Sequence, residues 1–197
     1  MKDNPNEEKI LDAALTVVAR ETITGTRTRM IADEAGVSPS SIHYYFKSKD
    51  ELMDKLQKRV LDKSFEFRNQ RKKSIDPNNI YEVLDLFFFQ KMDFIQMEKD
   101  LDYVNFDFWL HSRVDDMKKK SMAEAYQEWR EEIREMVVDP FCGDLPESDK
   151  EQLTFVLVSL MQGAAIQYHL AGFNLQSYFA YCKRLIRTML TQPLTDD

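Results

Sequence analysis

Cysteine is nearly missing from this chain: there are two in 197 residues. Cys142 and Cys182 stand apart, without CxxC or other metal-type spacing. That excludes a disulfide framework and a zinc site, and predicts a reducing, cytoplasmic setting. Glycine and proline are also few, five and six. With 43% apolar and 31% charged residues, the chain belongs with neither disordered nor membrane-embedded proteins. No window approaches the roughly 18 consecutive apolar residues of a membrane span. The start, MKDNPNEEK, lacks an apolar h-region, so no signal peptide is expected. The length suits one large domain or two modest ones.

Positive charge is in deficit as well, with a formal net charge of -7. The deficit is uneven. Residues 1–60 carry ten Lys/Arg against ten Asp/Glu, and the remaining residues hold the whole excess of acid. Arg27, Arg29, Lys47 and Lys49 cluster in one short stretch of the neutral part. A neutral head with local cations and an acidic body would confine contact with a polyanion to the head.

What is present is helical periodicity from end to end. Asn4-Pro5-Asn6-Glu7 reads as an N-cap, a first-turn proline and an acid, followed by Ile10, Leu11, Ala14, Leu15, Val17 and Val18 at helical spacing. The Thr/Gly-rich piece from Thr22 to Thr28 breaks that helix. Thr28 to Leu52, TRMIADEAGVSPSSIHYYFKSKDEL, then reads as two short helices around Gly36 and the capped start of a further one. Ser38 suits an N-cap and Pro39 the first helical position. Val37 and Ile42 sit at hydrophobic-staple positions. The helix from Pro39 to Tyr45 exposes Ser40, Ser41, His43 and Tyr44 at its front, as a helix laid in the DNA major groove would. Ser48-Lys49-Asp50-Glu51 is a capping box that opens a long helix, and Asp76-Pro77 starts the next. Residues 100–112 and 115–138 predict two further helices, and DPFCGDLPES is a loop. Ser148-Asp149-Lys150-Glu151 is a second capping box. The segment it opens, Leu153 to Leu170, is apolar nearly all round and is therefore expected to be buried all round. Asn174 opens the last helix, with Tyr178, Cys182, Leu185 and Met189 on one stripe. The expectation is an all-α protein of about nine helices.

The first 60 residues resemble the DNA-binding head of the tetracycline-repressor (TetR) family of transcriptional regulators. The resemblance is carried by TRTRMIADEAGVS and by YYFKSKDEL, which joins the reading helix to the next without a loop. It implies a three-helix head over residues 1–50, linked by the helix starting at Ser48 to a ligand-binding and dimerisation domain over 51–197. It also implies that Arg29 meets a guanine edge and that Thr28, the expected cap of the second helix, meets a phosphate. By the same likeness Pro39, Ser40 and His43 meet base edges or thymine methyls. Ser41, Tyr44 and Lys49 fall at phosphate contacts. His43 departs from the Tyr that the family favours there.

The resemblance further implies a homodimer through the last two helices, double-stranded operator DNA as partner, and a small-molecule effector bound in the body. Phe88, Tyr103, Phe106, Trp109, Tyr126, Trp129 and Tyr168 are candidate lining residues. Asp107 is a candidate carboxylate for a flat cation, through charge and cation–π attraction. The function so implied is a ligand-responsive repressor, released from a palindromic operator by its effector, with no cofactor and no enzymatic activity. Two alternatives stand beside it. Asp107, His111 and Asp115 at i, i+4 and i+8 would suit a helical-bundle metalloenzyme, but no Glu-x-x-His is present. A helical scaffold that does not bind DNA is the other.

Overall fold

The computed structural model describes residues 4–191. Nine helices are found among them, and no strand. They are α1 Pro5–Gly25, α2 Thr28–Ala35, α3 Pro39–Tyr45, α4 Lys49–Lys72, α5 Ile80–Met97, α6 Lys99–His111, α7 Asp116–Ile133, α8 Glu147–Ala171 and α9 Leu175–Thr191. Helix α7 runs on through a π-helical turn, Arg134–Val138, and a short turn, Asp139–Phe141. The chain forms two compact units: residues up to 65 with 98–123, and residues 66–97 with 124 onward. The sequence division at residue 50 marks the motif. The compact unit that holds the motif is larger and includes α6.

Local chemistry explains most boundaries. Asn4 accepts from the Asn6 N–H and Pro5 opens α1. Ser38 accepts from the Ser41 N–H, so α3 is capped as its sequence requires, worth about 1 kcal/mol. Gly36 ends α2 at φ 61°, where a side chain would be strained. The Glu51 N–H is held by Ser48 Oγ, while the Glu51 carboxylate accepts from the Lys47 N–H one residue before the cap.

Three starts differ from the sequence reading. The cap of α2 is Arg27, in extended conformation, and Thr28 is its first helical residue. Helix α5 begins at Ile80 rather than at Pro77, because Asn79 accepts from the Tyr81 N–H and Asp76 is engaged by the Asn78 N–H. The second capping box does not form: α8 already starts at Glu147, and the Ser148 hydroxyl turns to the Asp149 carboxylate.

In the first unit the core combines Ile10, Ala14 and Val17 of α1, Ile31 and Ala32 of α2, Ile42 of α3, Phe46, and Leu52 and Leu56 of α4. Full burial of the Ile, Val, Leu and Phe side chains among them contributes on the order of 1.5–3 kcal/mol each. Helix α6 adds Leu101, Val104 and Phe108 and packs along α1. Lys118 is buried in the same unit, its ammonium 2.9 Å from Asp115 and 3.0 Å from Asp54 of α4.

The second unit buries Leu84, Phe87, Phe88 and Ile95 of α5, Val137 and Val138, and the Leu157–Met161 side of α8. The buried stripe of α9 is Leu175, Phe179, Cys182 and Ile186. Of the expected stripe, Cys182 is buried, Tyr178 is half-buried and Leu185 is exposed, while the Met189 side chain lies outside the described residues. Nor is α8 buried all round: Phe155, Val156, Ile166 and Leu170 are exposed on the single chain. Glu147–Ala171 is also long and apolar enough to cross a membrane by composition, with mean hydropathy 1.3 in its best window. No run of roughly 18 consecutive apolar residues occurs in it, because Thr154, Ser159, Gln162 and Gln167 interrupt the run.

Candidate nucleic-acid interface

Helix α3 is short, and one residue anchors it: Ile42 is 1% exposed, while Pro39, Ser40, His43 and Tyr44 face solvent. Tyr44 is 81% exposed, which leaves its ring and hydroxyl open to a partner. Ser38 gathers the Ser40 and Ser41 hydroxyls at 2.7 and 2.9 Å, which orders the front end of the helix. Tyr45 turns the other way. Its hydroxyl accepts from the Asn6 amide at 3.1 Å, and its ring meets the edge of Tyr44 with centroids 5.0 Å apart.

The N-terminus of α2 has no side-chain cap and no acid in its first turn. Its free N–H groups and dipole therefore favour an anion, with Thr28 half-buried and Arg29 exposed beside them. The Lys49 ammonium donates to the carbonyls of Ile23 and Thr26 at 2.8 and 2.6 Å, leaving one of its three N–H donors for another acceptor. The sequence held no signal for this contact, since donor and acceptors are more than twenty residues apart.

The candidate ligand residues fall in both units. In the first unit Tyr103 lies under the Lys99 ammonium at 5.4 Å, Phe106 is half-buried, and Trp109 is 56% exposed. The Asp107 carboxylate accepts from the Ile23 N–H at 2.5 Å. In the second unit Phe88 stacks on Phe179 at 4.9 Å, and Tyr168 meets Phe173 edge-on. Tyr126 and Trp129 do come together, at 6.0 Å, and the Tyr126 hydroxyl accepts from Gln162 at 2.6 Å. Gln162 is a residue that the sequence reading passed over. Its carbonyl oxygen is buried with no hydrogen-bond partner.

The metalloenzyme alternative finds no support. Asp115 is spent on Lys118 and Asp107 on Ile23. Among the described residues no three His, Cys, Asp or Glu side chains are placed to hold a metal.

Residues 10–56 match the family model for bacterial regulatory proteins of the tetR family, and residues 100–191 match that for the C-terminal part of BetI-type transcriptional repressors. An uncharacterised HTH-type transcriptional regulator in the dhlA 5′ region of Xanthobacter autotrophicus is 43% identical over 53 residues. That match spans 27% of this chain and about a quarter (26%) of the relative. A Pseudomonas aeruginosa PAO1 transcriptional regulator has a similar fold, with TM-score 0.81, 18% identity, and coverage of 96% of this chain and 93% of the other. A Saccharomonospora viridis regulator, solved in complex with choline, has TM-score 0.81 at 21% identity, covering 93% and 96%.

Proposed function

Since the chain belongs to the TetR family of transcriptional regulators, we propose that it is a homodimeric, DNA-binding repressor whose operator is released by a small-molecule effector. The observation that carries the DNA reading is the exposed front of α3 beside the uncapped start of α2. Pro39, Ser40 and His43 enter the major groove. Arg29 reads a guanine edge, and Thr28, Ser41, Tyr44 and the remaining donor of Lys49 meet phosphates. His43, where relatives favour Tyr, brings ring nitrogens to the groove and so selects for a hydrogen-bonding partner.

The test is selection of duplexes from a randomised library by the native protein, followed by footprinting. A palindrome with half-sites about one helical turn apart is the expected product, and recovery of no enriched sequence would sink the proposal. With that duplex, Arg29→Ala should cost about 1–3 kcal/mol and relax discrimination at one base pair per half-site. Titration against single-base variants reads this out directly.

The dimer is proposed through α8 and α9. Helix α8 exposes Phe155, Val156, Ile166 and Leu170, α9 exposes Tyr181 and Leu185, and a Cβ at Gly163 has no neighbour within 4 Å on its own chain. These features suit close packing against a second copy.

For the effector we propose the neighbourhood of Tyr126, Trp129 and Gln162. A ligand donor would satisfy the buried Gln162 oxygen, and the rings would cover an apolar or cationic body. The choline held by the Saccharomonospora viridis regulator makes small quaternary ammonium compounds the first to screen by thermal shift. A compound that raises the melting temperature and lowers operator affinity is expected to lose both effects in Gln162→Leu. Unchanged effects would move the site elsewhere.

A further inference from the structure

Helix α1 does not simply fray at its end. Thr22 adopts φ 64°, ψ 165°, the only non-glycine positive φ among the described residues and a region open almost only to glycine. Beyond it the chain makes one separate helical turn. The Thr22 carbonyl accepts from both the N–H and the hydroxyl of Thr26, at 3.0 and 2.7 Å. This turn leads straight into Arg27, Thr28 and Arg29.

A lone helical turn has unsatisfied N–H groups at one end and carbonyls at the other. Here each end is met by a charge of the fitting sign from a different helix. The first N–H, of Ile23, is taken by the Asp107 carboxylate of α6, and the carbonyls of Ile23 and Thr26 are taken by the Lys49 ammonium of α4. The anion lies at the positive end of the turn and the cation at the negative end, as the peptide dipoles favour. Asp107 spans 84 residues of sequence to do so, and Ile23 is buried at 3% exposure.

We propose that Asp107 is a positioning residue for DNA binding. By capping the strained turn at Ile23 it fixes where α2 begins, and so where Thr28 and Arg29 are presented. The role rests on the DNA-binding reading above. Without the carboxylate, Thr22 relaxes to an ordinary φ, the turn unwinds, and the start of α2 loses its fixed register relative to α3. An asparagine keeps an acceptor oxygen at the same reach, whereas alanine keeps none. A glycine at residue 22 holds the native backbone conformation without strain, so the turn then depends less on its cap.

The experiment compares the native protein with Asp107→Ala, Asp107→Asn, Thr22→Gly and the Thr22→Gly/Asp107→Ala pair, each checked for native helicity by circular dichroism. Two quantities are read: hydrogen exchange of the Ile23 amide, and affinity for the duplex that the native protein selects from a random library. Asp107→Ala should speed Ile23 exchange and weaken DNA binding, each about 10- to 100-fold, the range for a lost charge-assisted hydrogen bond. Asp107→Asn should remain close to native, and the pair should recover part of the lost affinity. Should Asp107→Ala not fold, the Asn variant and Thr22→Gly with Asp107→Ser carry the comparison. Unchanged Ile23 exchange, or full affinity with an exposed Ile23 amide, overturns the proposal. A loss that Asn does not rescue overturns it too. A native protein that selects no duplex defeats the DNA-binding reading itself, whereas native binding matched by Asp107→Ala defeats only the role given to Asp107.

Discussion

Gly163→Arg should convert the protein from dimer to monomer and lower operator affinity by about 100-fold or more, since two linked heads gain on the order of 10²–10⁴ over one. The substitution is chosen because it is harmless to the single chain. A Cβ at Gly163 has no neighbour within 4 Å, and arginine is a better helix former than glycine. Helicity should therefore be kept or rise slightly. Gly163 lies eight residues after Phe155 and three before Ile166, in the middle of the exposed stripe that also holds Leu170. A long cation there would be driven into apolar surface by a second copy and tolerated by water. Sedimentation velocity at several concentrations reads the mass, and gel shift on the selected operator reads the affinity. A variant that stays dimeric would place the interface elsewhere.

The second large effect is on stability. Lys118→Met should destabilise the fold by about 2–3 kcal/mol, below the 3–5 expected for breaking a fully buried pair. The discount follows from geometry: the Lys118 side chain is 4% exposed, but Asp54 is 57% exposed and can rehydrate once its partner is gone. The pH dependence is specific. Burial alone would lower the Lys118 pKa, but the hydrogen bonds that its ammonium donates to Asp115 and Asp54 outweigh it and raise it above the ordinary 10.5. That contribution is complete below 10.5 and disappears as pH climbs through the elevated folded value. Asp115 moves the other way, held below its ordinary 3.8 by the hydrogen bond from the Lys118 ammonium and then by the Lys118 backbone N–H. Its contribution is complete above 3.8 and fades as pH falls through the depressed folded value. Urea melts of native and variant protein should therefore differ by a constant amount across the neutral range and converge at both extremes. A gap that narrows between pH 5 and 9 would contradict the triad as its source.

The parts of the fold that were legible in the sequence are those governed by neighbours along the chain. Asn4-Pro5, Ser38-Pro39 and Gly36 dictate caps and turns through contacts spanning a few residues, and each appears where the residues require it. The exposed front of α3 follows in the same way, because Ile42 fixes which side must turn inward. Where competing caps stood close together, the sequence misled. Asn79 outcompeted Asp76, and Glu147 had already opened α8 before Ser148. Pairings over long separation left no trace. Lys118 sits in a run of three lysines that reads as a solvated charge, and only Asp115, three residues earlier, hinted otherwise. Asp107, flanked by Phe106 and Phe108, suggested a carboxylate waiting for a ligand. Its partner, the amide of Ile23, belongs to the backbone, and backbone donors carry no residue-type signature.

The uncovered flank of α8 has a genetic consequence. A chain whose reading head is damaged keeps that flank intact and goes on seeking a mate. On the proposed dimer, mixed with sound copies it would capture them in pairs that grip only half of a palindromic operator. One faulty allele would therefore impair a good one, and the intact pairs would fall as the square of the sound fraction rather than as the fraction itself.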